Sequence, residues 1–275
     1  FELWASSAKH KTIEFSKIAL AGRGSEGELA AIFLRDNKRP LIIAGAAKIT
    51  GDAFLPEMGI RMGNIAGSSY FNDRLVYGKQ SNSNDLLPKL SPDLLVQIER
   101  YTNSDFSQLD NLLDTGRHLD LKNSFYSPTK FIGGNTIGLE GVSLTGNIVV
   151  YATDKIIVES TARLRDVLLI APEIIINNGV QGFFQGIAQK AIHVGKNCRL
   201  AYTSALVVQN KSLPSGKGKN GKEFGIYVDS GTEIDGMLLY LEDSDTQYFS
   251  PQIKISENAL VRGEVYCSKN LELKG

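Results

Sequence analysis

Ile253-Lys-Ile-Ser-Glu-Asn-Ala-Leu-Val-Arg-Gly-Glu-Val265 carries the pattern that decides the fold. Counted from its first residue, aliphatics stand at offsets 0, 2 and 8, a small residue at 6, and a further apolar or small residue at 12. Offset 10 varies. Four other copies precede it: Leu41, Ile43, Ala47, Ile49, Gly51, Ala53; Ile156, Val158, Ala162, Leu164, Asp166, Leu168; Ile192, Val194, Cys198, Leu200, Tyr202, Ser204; and Ile226, Val228, Thr232, Ile234, Gly236, Leu238. Every offset is even, so these side chains can face one way along strands of period two. The small residue at offset 6 suits a tight corner between short strands. A repeat that cannot bury its apolar face alone, but can when copies stack, signals a solenoid. The expected fold is therefore mainly β: a parallel β-helix with a helical insertion, forming one continuous domain.

Working outward, residues 1–35 read as a strand segment that covers the first rung. Within it Thr12–Leu20 alternates and Leu29–Leu34 is an apolar run able to pair with it. Residues 36–84 form the first part of the β-helix, 85–130 a helical insertion and return, and 131–275 the main β-helix. The insertion begins at Ser91-Pro92, an N-cap followed by a proline in the first turn. Phe106, Leu109, Leu112 and Leu113 continue a helical spacing to Gly116. Later copies start 36, 34 and 27 residues apart, so loops of unequal length leave the stack. The longest runs from Gln209 to Glu223.

Composition narrows the classes. Lys plus Arg and Asp plus Glu number 30 each, which disfavours nucleic acid as a partner. Gly at 27 against Pro at 8 suits tight turns rather than disorder. Cys198 takes the inward corner position and Cys267 an even offset, so both read as buried hydrophobes, not a disulfide. There is no apolar run long enough to cross a membrane as a helix. The chain starts at Phe1 and closes on Leu271-Glu-Leu-Lys-Gly275, where a new rung begins; a fragment or processed product is expected, with any anchor outside it.

The polar residues offer weaker signals. Gly216–Glu223 resembles a phosphate loop but has Glu223 where Ser or Thr should stand, and a strand pattern follows it. Lys211, Lys217, Lys219 and Lys222 remain a candidate basic loop for an acidic polymer or lipid head group. His193 lies between inward Ile192 and Val194 and should point outward; a catalytic histidine would need an orienting carboxylate, and none is evident. Glu159, Arg163, Arg165 and Asp166, and then Asp229, Glu233, Asp235, Glu242, Asp243 and Asp245, could serve glycosidic chemistry only at a defined separation in a groove. Solvated rung edges explain them more simply. Tyr151, Phe183, Phe184, Tyr227, Tyr240 and Phe249 could line such a groove. Asp105, Asp110, Asp114, His118 and Asp120 match no metal-ligand spacing, so neither a metal nor a cofactor is expected.

The copy at Ile253–Val265 resembles the repeat of bactofilins, the polymer-forming bacterial cytoskeletal family, and Leu41-Ile-Ile-Ala-Gly-Ala-Ala-Lys-Ile-Thr-Gly51 has the same cast. Gly236 repeats the glycine two after the second aliphatic, while Asp166 and Tyr202 depart from it. The resemblance implies a right-handed β-helix that polymerises through its end rungs, without nucleotide, near a membrane. The expected function is thus a non-enzymatic scaffold of a bacterial cell, membrane- or envelope-associated, whose partners are itself and a membrane or cell-wall component. Leu271, Leu273 and Val265 form the expected self-association edge. A carbohydrate-active or carbohydrate-binding β-helix is the alternative, and acyl transfer through His193 a third.

Overall fold

The computed structural model describes residues 2–10, 13–21, 30–65, 67–103, 119–211, 224–244 and 248–274. Among them the protein is mainly β with one helix, and the chain packs as two compact units, Phe1–Pro88 and Lys89–Gly275.

The first unit opens on an antiparallel hairpin of Glu2–His10 with Ile13–Ala21. The partner of the second strand is therefore the first strand, not the Leu29–Leu34 run. From that run Ile32–Phe33 instead lies parallel to Ala53–Phe54. Three small parallel pairings follow: Leu41–Ile43 with Ile60–Met62, Ile49–Thr50 with Val76–Tyr77, and Ala53–Leu55 with Gln80–Asn82. Ala53, Leu55 and Val76 make a small core against Ile32, Leu41, Ile49 and Ile60. Ala47, at the expected inward corner, is exposed.

The second unit is built around one parallel sheet of 11 strands. Its long strands Ser143–Val158, Arg163–Ile176 and Gln181–Val194 lie in register along most of their length. Ile156, Ile174, Ile192, Ile226, Ile253 and Leu271 are successive partners in one column. Ile132, Val150, Leu169, Gly186, Leu206, Leu238 and Val265 make another. From Ile132 to Val265 these columns merge into one apolar cluster, where Ile156, Leu169, Ile192 and Leu238 are each 0 % exposed. Cross-strand neighbours in the early passes are 18 residues apart, as in Thr136–Asp154 and Glu159–Asn177. The sequence spacing of 36 between copies is therefore two passes. The copy between them, Ile174, Ile176, Val180, Gly182, Phe184, has glycine where the pattern requires an aliphatic.

Corners explain where the even-offset rule fails. At offset 6 the expected tight turn is present: the Ala162, Val180 and Ala259 N–H groups donate to Glu159, Asn177 and Ser256 carbonyls three residues back. Just before it, Gly179, Asn197, Gly231 and Asn258 take left-handed conformations, which glycine and asparagine tolerate best. In the copy at Ile174 offset 10 is the buried Phe184, whereas in the copies at Ile156 and Ile192 it is a second corner rather than an inward position. Register shifts there place Val167 inward and Leu168 outward, and extrude Tyr202, which is 67 % exposed. Cys198 is buried, Cys267 half-buried, and neither is in a disulfide.

The insertion folds as the helix Pro92–Asn103, with the Leu95 N–H bonded to the Ser91 carbonyl as the cap predicts. Residues 104–118, with the rest of the expected helical spacing, lie outside the described residues. By Asp120–Asn123 the chain is already a strand beside Ser143–Gly146, earlier than the expected return at 130. The helix has a clear reason to pack where it does. Outward-facing Ile187, Val207 and Leu239 form an apolar column, and Ile98, Leu94 and Tyr101 cover it. The Gln189 side-chain amide also donates to the Thr102 carbonyl at 3.1 Å.

Gly146 has φ +93°, and a Cβ there would lie 2.0 Å from the Asn123 carbonyl oxygen of the neighbouring strand. At Gly138 a Cβ would meet nothing. Gly146→Ala is expected to cost at least about 1–3 kcal/mol and Gly138→Ala to stay within roughly 0.5 kcal/mol of wild type, both read from denaturant unfolding. Equal effects would contradict the stacking at this corner.

Candidate functional site

One outward column of the second unit reads Ile157, Ile175, His193, Tyr227, Lys254, Glu272. These residues alternate with inward Ile156–Val158, Ile174–Ile176, Ile192–Val194 and their successors, so burying the aliphatics fixes the polar set on the outside. Parallel in-register pairing then brings residues distant in sequence into contact. The His193 and Tyr227 rings stack with centroids 5.0 Å apart and planes at 17°. Glu173, on the preceding strand, places a carboxylate oxygen 3.8 Å from His193 Nε2.

Beside this column runs an open groove of about 330 Å³, lined by Ile175, Asn177, His193, Gly195, Tyr227, Asp229, Lys254 and Ser256. Gly195 adds no side chain to this lining, and a Cβ there would lie 2.4 Å from Asn178 Oδ1. The Asn177 amide donates to Glu159 at 2.8 Å, and Asp229 accepts the Ser230 N–H at 2.8 Å. Lys254 Nζ sits 4.0 Å from Glu272. Burial holds the His193 imidazole below its usual titration range, and the nearby Glu173 carboxylate only partly offsets this. Burial likewise pushes the Tyr227 phenol up, and its hydroxyl donates to the Phe224 carbonyl at 3.2 Å. The arrangement can donate and accept hydrogen bonds beside an apolar strip. It also provides His193 with the carboxylate that sequence reasoning did not find.

Glu242 departs furthest from expectation. It is not a solvated edge: its side chain is 2 % exposed. Its carboxylate accepts from the Tyr240 hydroxyl at 2.5 Å, the Asn210 amide at 2.9 Å, the Tyr248 hydroxyl at 3.1 Å, and the Ser244 hydroxyl. Lys269 Nζ lies 3.9 Å away, itself 11 % exposed. Burial and the adjacent Glu242 carboxylate push the Tyr248 phenol up to about 12 and raise that of Tyr240 as well. These partners exhaust the carboxylate's acceptor capacity. The cluster ties together residues from three excursions from the sheet, and nothing is left for a ligand.

The remaining candidates are scattered. Arg262 bridges Glu233 at 3.0 Å and Asp235 at 2.5 Å on the surface, and Arg199 lies 3.9 Å from Glu233. Arg165 sits over the Phe183 ring at 5.9 Å. Arg163, Asp166 and Asp243 are exposed, as is Asp120. Phe184 and Tyr240 are core residues, Tyr151 is half-buried and Phe249 fully exposed. Lys211 bonds to Glu99 at 2.8 Å and Asn103 at 3.1 Å on the helix, while Lys217, Lys219 and Lys222 lie outside the described residues. So do Asp105, Asp110, Asp114, His118 and Asp245. Among the described residues no group of three His, Cys, Asp or Glu is placed to hold a metal, and no helix is long and apolar enough to cross a membrane. Leu271 and Leu273 end their columns 43 % and 63 % exposed, with Val265 half-buried.

Comparison with family models, with curated proteins and with solved structures found no match to this chain.

Because His193 is held below its ordinary value, the folded state resists its protonation. Its contribution to stability is present above the unfolded value near 6.5 and is lost as pH falls through the folded value. Imidazole NMR should show His193 titrating below 6.5, and Glu173→Gln should move it lower still. Titration at or above 6.5, or an upward move in the variant, would contradict this environment.

Proposed function

We propose that this chain is a non-enzymatic structural subunit whose parallel sheet winds as a β-helix and which associates end to end with a second copy through its final strands. One observation carries the reading. In the interior the inward columns are 0 % exposed at Ile174 and Ile192, but the last members, Leu271 and Leu273, are 43 % and 63 % exposed. Leu271–Leu273 pairs with Ile253–Ile255 on one side only among the described residues. An open strand edge with an apolar face is a template for another strand. A second molecule of this chain, whose strand edges carry the same backbone groups, is its natural complement.

Magnitudes set the expected strength. Fully burying a leucine contributes about 1.5–3 kcal/mol, while association costs roughly 4–15 kcal/mol in lost freedom. A few half-exposed aliphatics and one strand edge therefore support weak, concentration-dependent association rather than a tight complex. The repeat's likeness to that of bactofilins supports a right-handed coil and a polymer-forming role, and the placement in a bacterial envelope rests on that likeness alone. No cofactor is part of this reading.

Sedimentation velocity over a wide concentration range tests it. Wild type should shift from monomer to dimer or larger species, and the Leu271→Lys/Leu273→Lys variant should stay monomeric with unchanged circular dichroism. A wild type that remains monomeric at the highest concentration, or a variant that associates equally, would overturn the proposal.

A further inference from the structure

Outside the surface used for association, the groove beside His193 and Tyr227 is a recess that its own side chains do not fill. One wall is an apolar strip made by Ile175 and the stacked His193 and Tyr227 rings. The other is a row of short planar or hydroxyl groups: Asn177, Asp229 and Ser256. Gly195 adds no side chain to the lining. A ligand that fits has one apolar face and a rim of groups that both donate and accept hydrogen bonds.

Charge removes the other polar ligands. The Lys254 ammonium is shared with Glu272 at 4.0 Å, and Glu272 also lies 3.5 Å from Lys274. Asp229 and Glu173 bring negative charge to the groove and its margin, while burial keeps the His193 imidazole neutral above its lowered titration range. Neither a phosphate nor a uronic acid would find an uncommitted cation there. Successive strands stand about 4.8 Å apart, and the groove crosses several of them while staying open to solvent, so the ligand can extend as a chain rather than sit enclosed.

We propose that this groove binds a neutral glycan, one sugar ring lying against Ile175, His193 and Tyr227 with its hydroxyls on Asn177, Asp229 and Ser256. The site binds and does not cleave. Asp229 is the one carboxylate among the described residues lining the groove, so no second one stands opposite it to complete an acid–base pair.

The test is an NMR titration of the full chain at neutral pH with neutral hexasaccharides of glucose and of N-acetylglucosamine, and with hexagalacturonate as the acidic counterpart. At least one neutral oligosaccharide should give saturable shifts at the His193 imidazole and the Tyr227 amide. Tyr227→Ala, and Asp229→Ser, which keeps an acceptor for the Ser230 N–H, should each weaken binding by about tenfold or more. The Leu271→Lys/Leu273→Lys variant should bind as wild type does, which separates this site from end-to-end association. No saturable shift with either neutral sugar, an equal response to hexagalacturonate, or unchanged affinity in both groove variants would overturn it.

Discussion

Everything in the second unit depends on vertical registration: each inward aliphatic must sit on the one from the previous pass. Burying a Val, Leu or Ile contributes about 1.5–3 kcal/mol, and the columns containing Ile156, Leu169 and Ile192 repeat that burial pass after pass. The parallel backbone ladder locks the same alignment. A slip of one residue would send an entire column outward and draw its polar neighbours in. Register is thus the constraint, and the outer surface is its consequence. His193 meets Tyr227 and Glu173 because Ile192 meets Ile174 and Ile226 inside.

Different segments of each pass then acquire different surfaces. Where the outward column is Ile187, Val207 and Leu239, it is too apolar to stand in water, and the helix Pro92–Asn103 covers it. Where it is Ile175, His193, Tyr227 and Lys254, it stays open and bounds a groove. Where loops leave the sheet, a saturated carboxylate, Glu242, draws Asn210, Tyr248 and Lys269 together. Such a cluster contributes little net energy for its desolvation, yet it would be costly to break by losing one member. Its value is in fixing where the excursions begin and end.

The interior was legible in the sequence because period-two patterning with stacked copies has few other solutions. The inward positions at Ile156, Val158, Ala162 and Leu164 and the helix start at Ser91-Pro92 are where the residues indicate. The corners were not legible, since a corner can add or remove a residue without disturbing the pattern beyond it. That is how Leu168 and Tyr202 came to face outward. The copy at Ile174 was hidden by Gly182, and the one at Ile137 by a shorter turn, with Val142 beneath Ala162. Gly179, Asn197, Gly231 and Asn258, one before each corner residue, are the turn signal that would have exposed the missing pass. That single omission also concealed the site. Without the pass at Ile174, Glu173 has no defined neighbour, and His193 looks solitary. Glu242 was unreadable for a related reason: its partners come from three separate excursions.

Distances along one outward column test the stacked register most directly. With Cys267→Ser as background, spin labels would be placed at Gly138 and, in turn, at Tyr227, Lys254 and Glu272, which follow one another in a single column. Pulsed electron paramagnetic resonance should show each step lengthening the distance by about 4.8 Å, however many residues intervene in the chain. Distances that follow sequence separation instead, or that fail to rise in that order, would contradict the account.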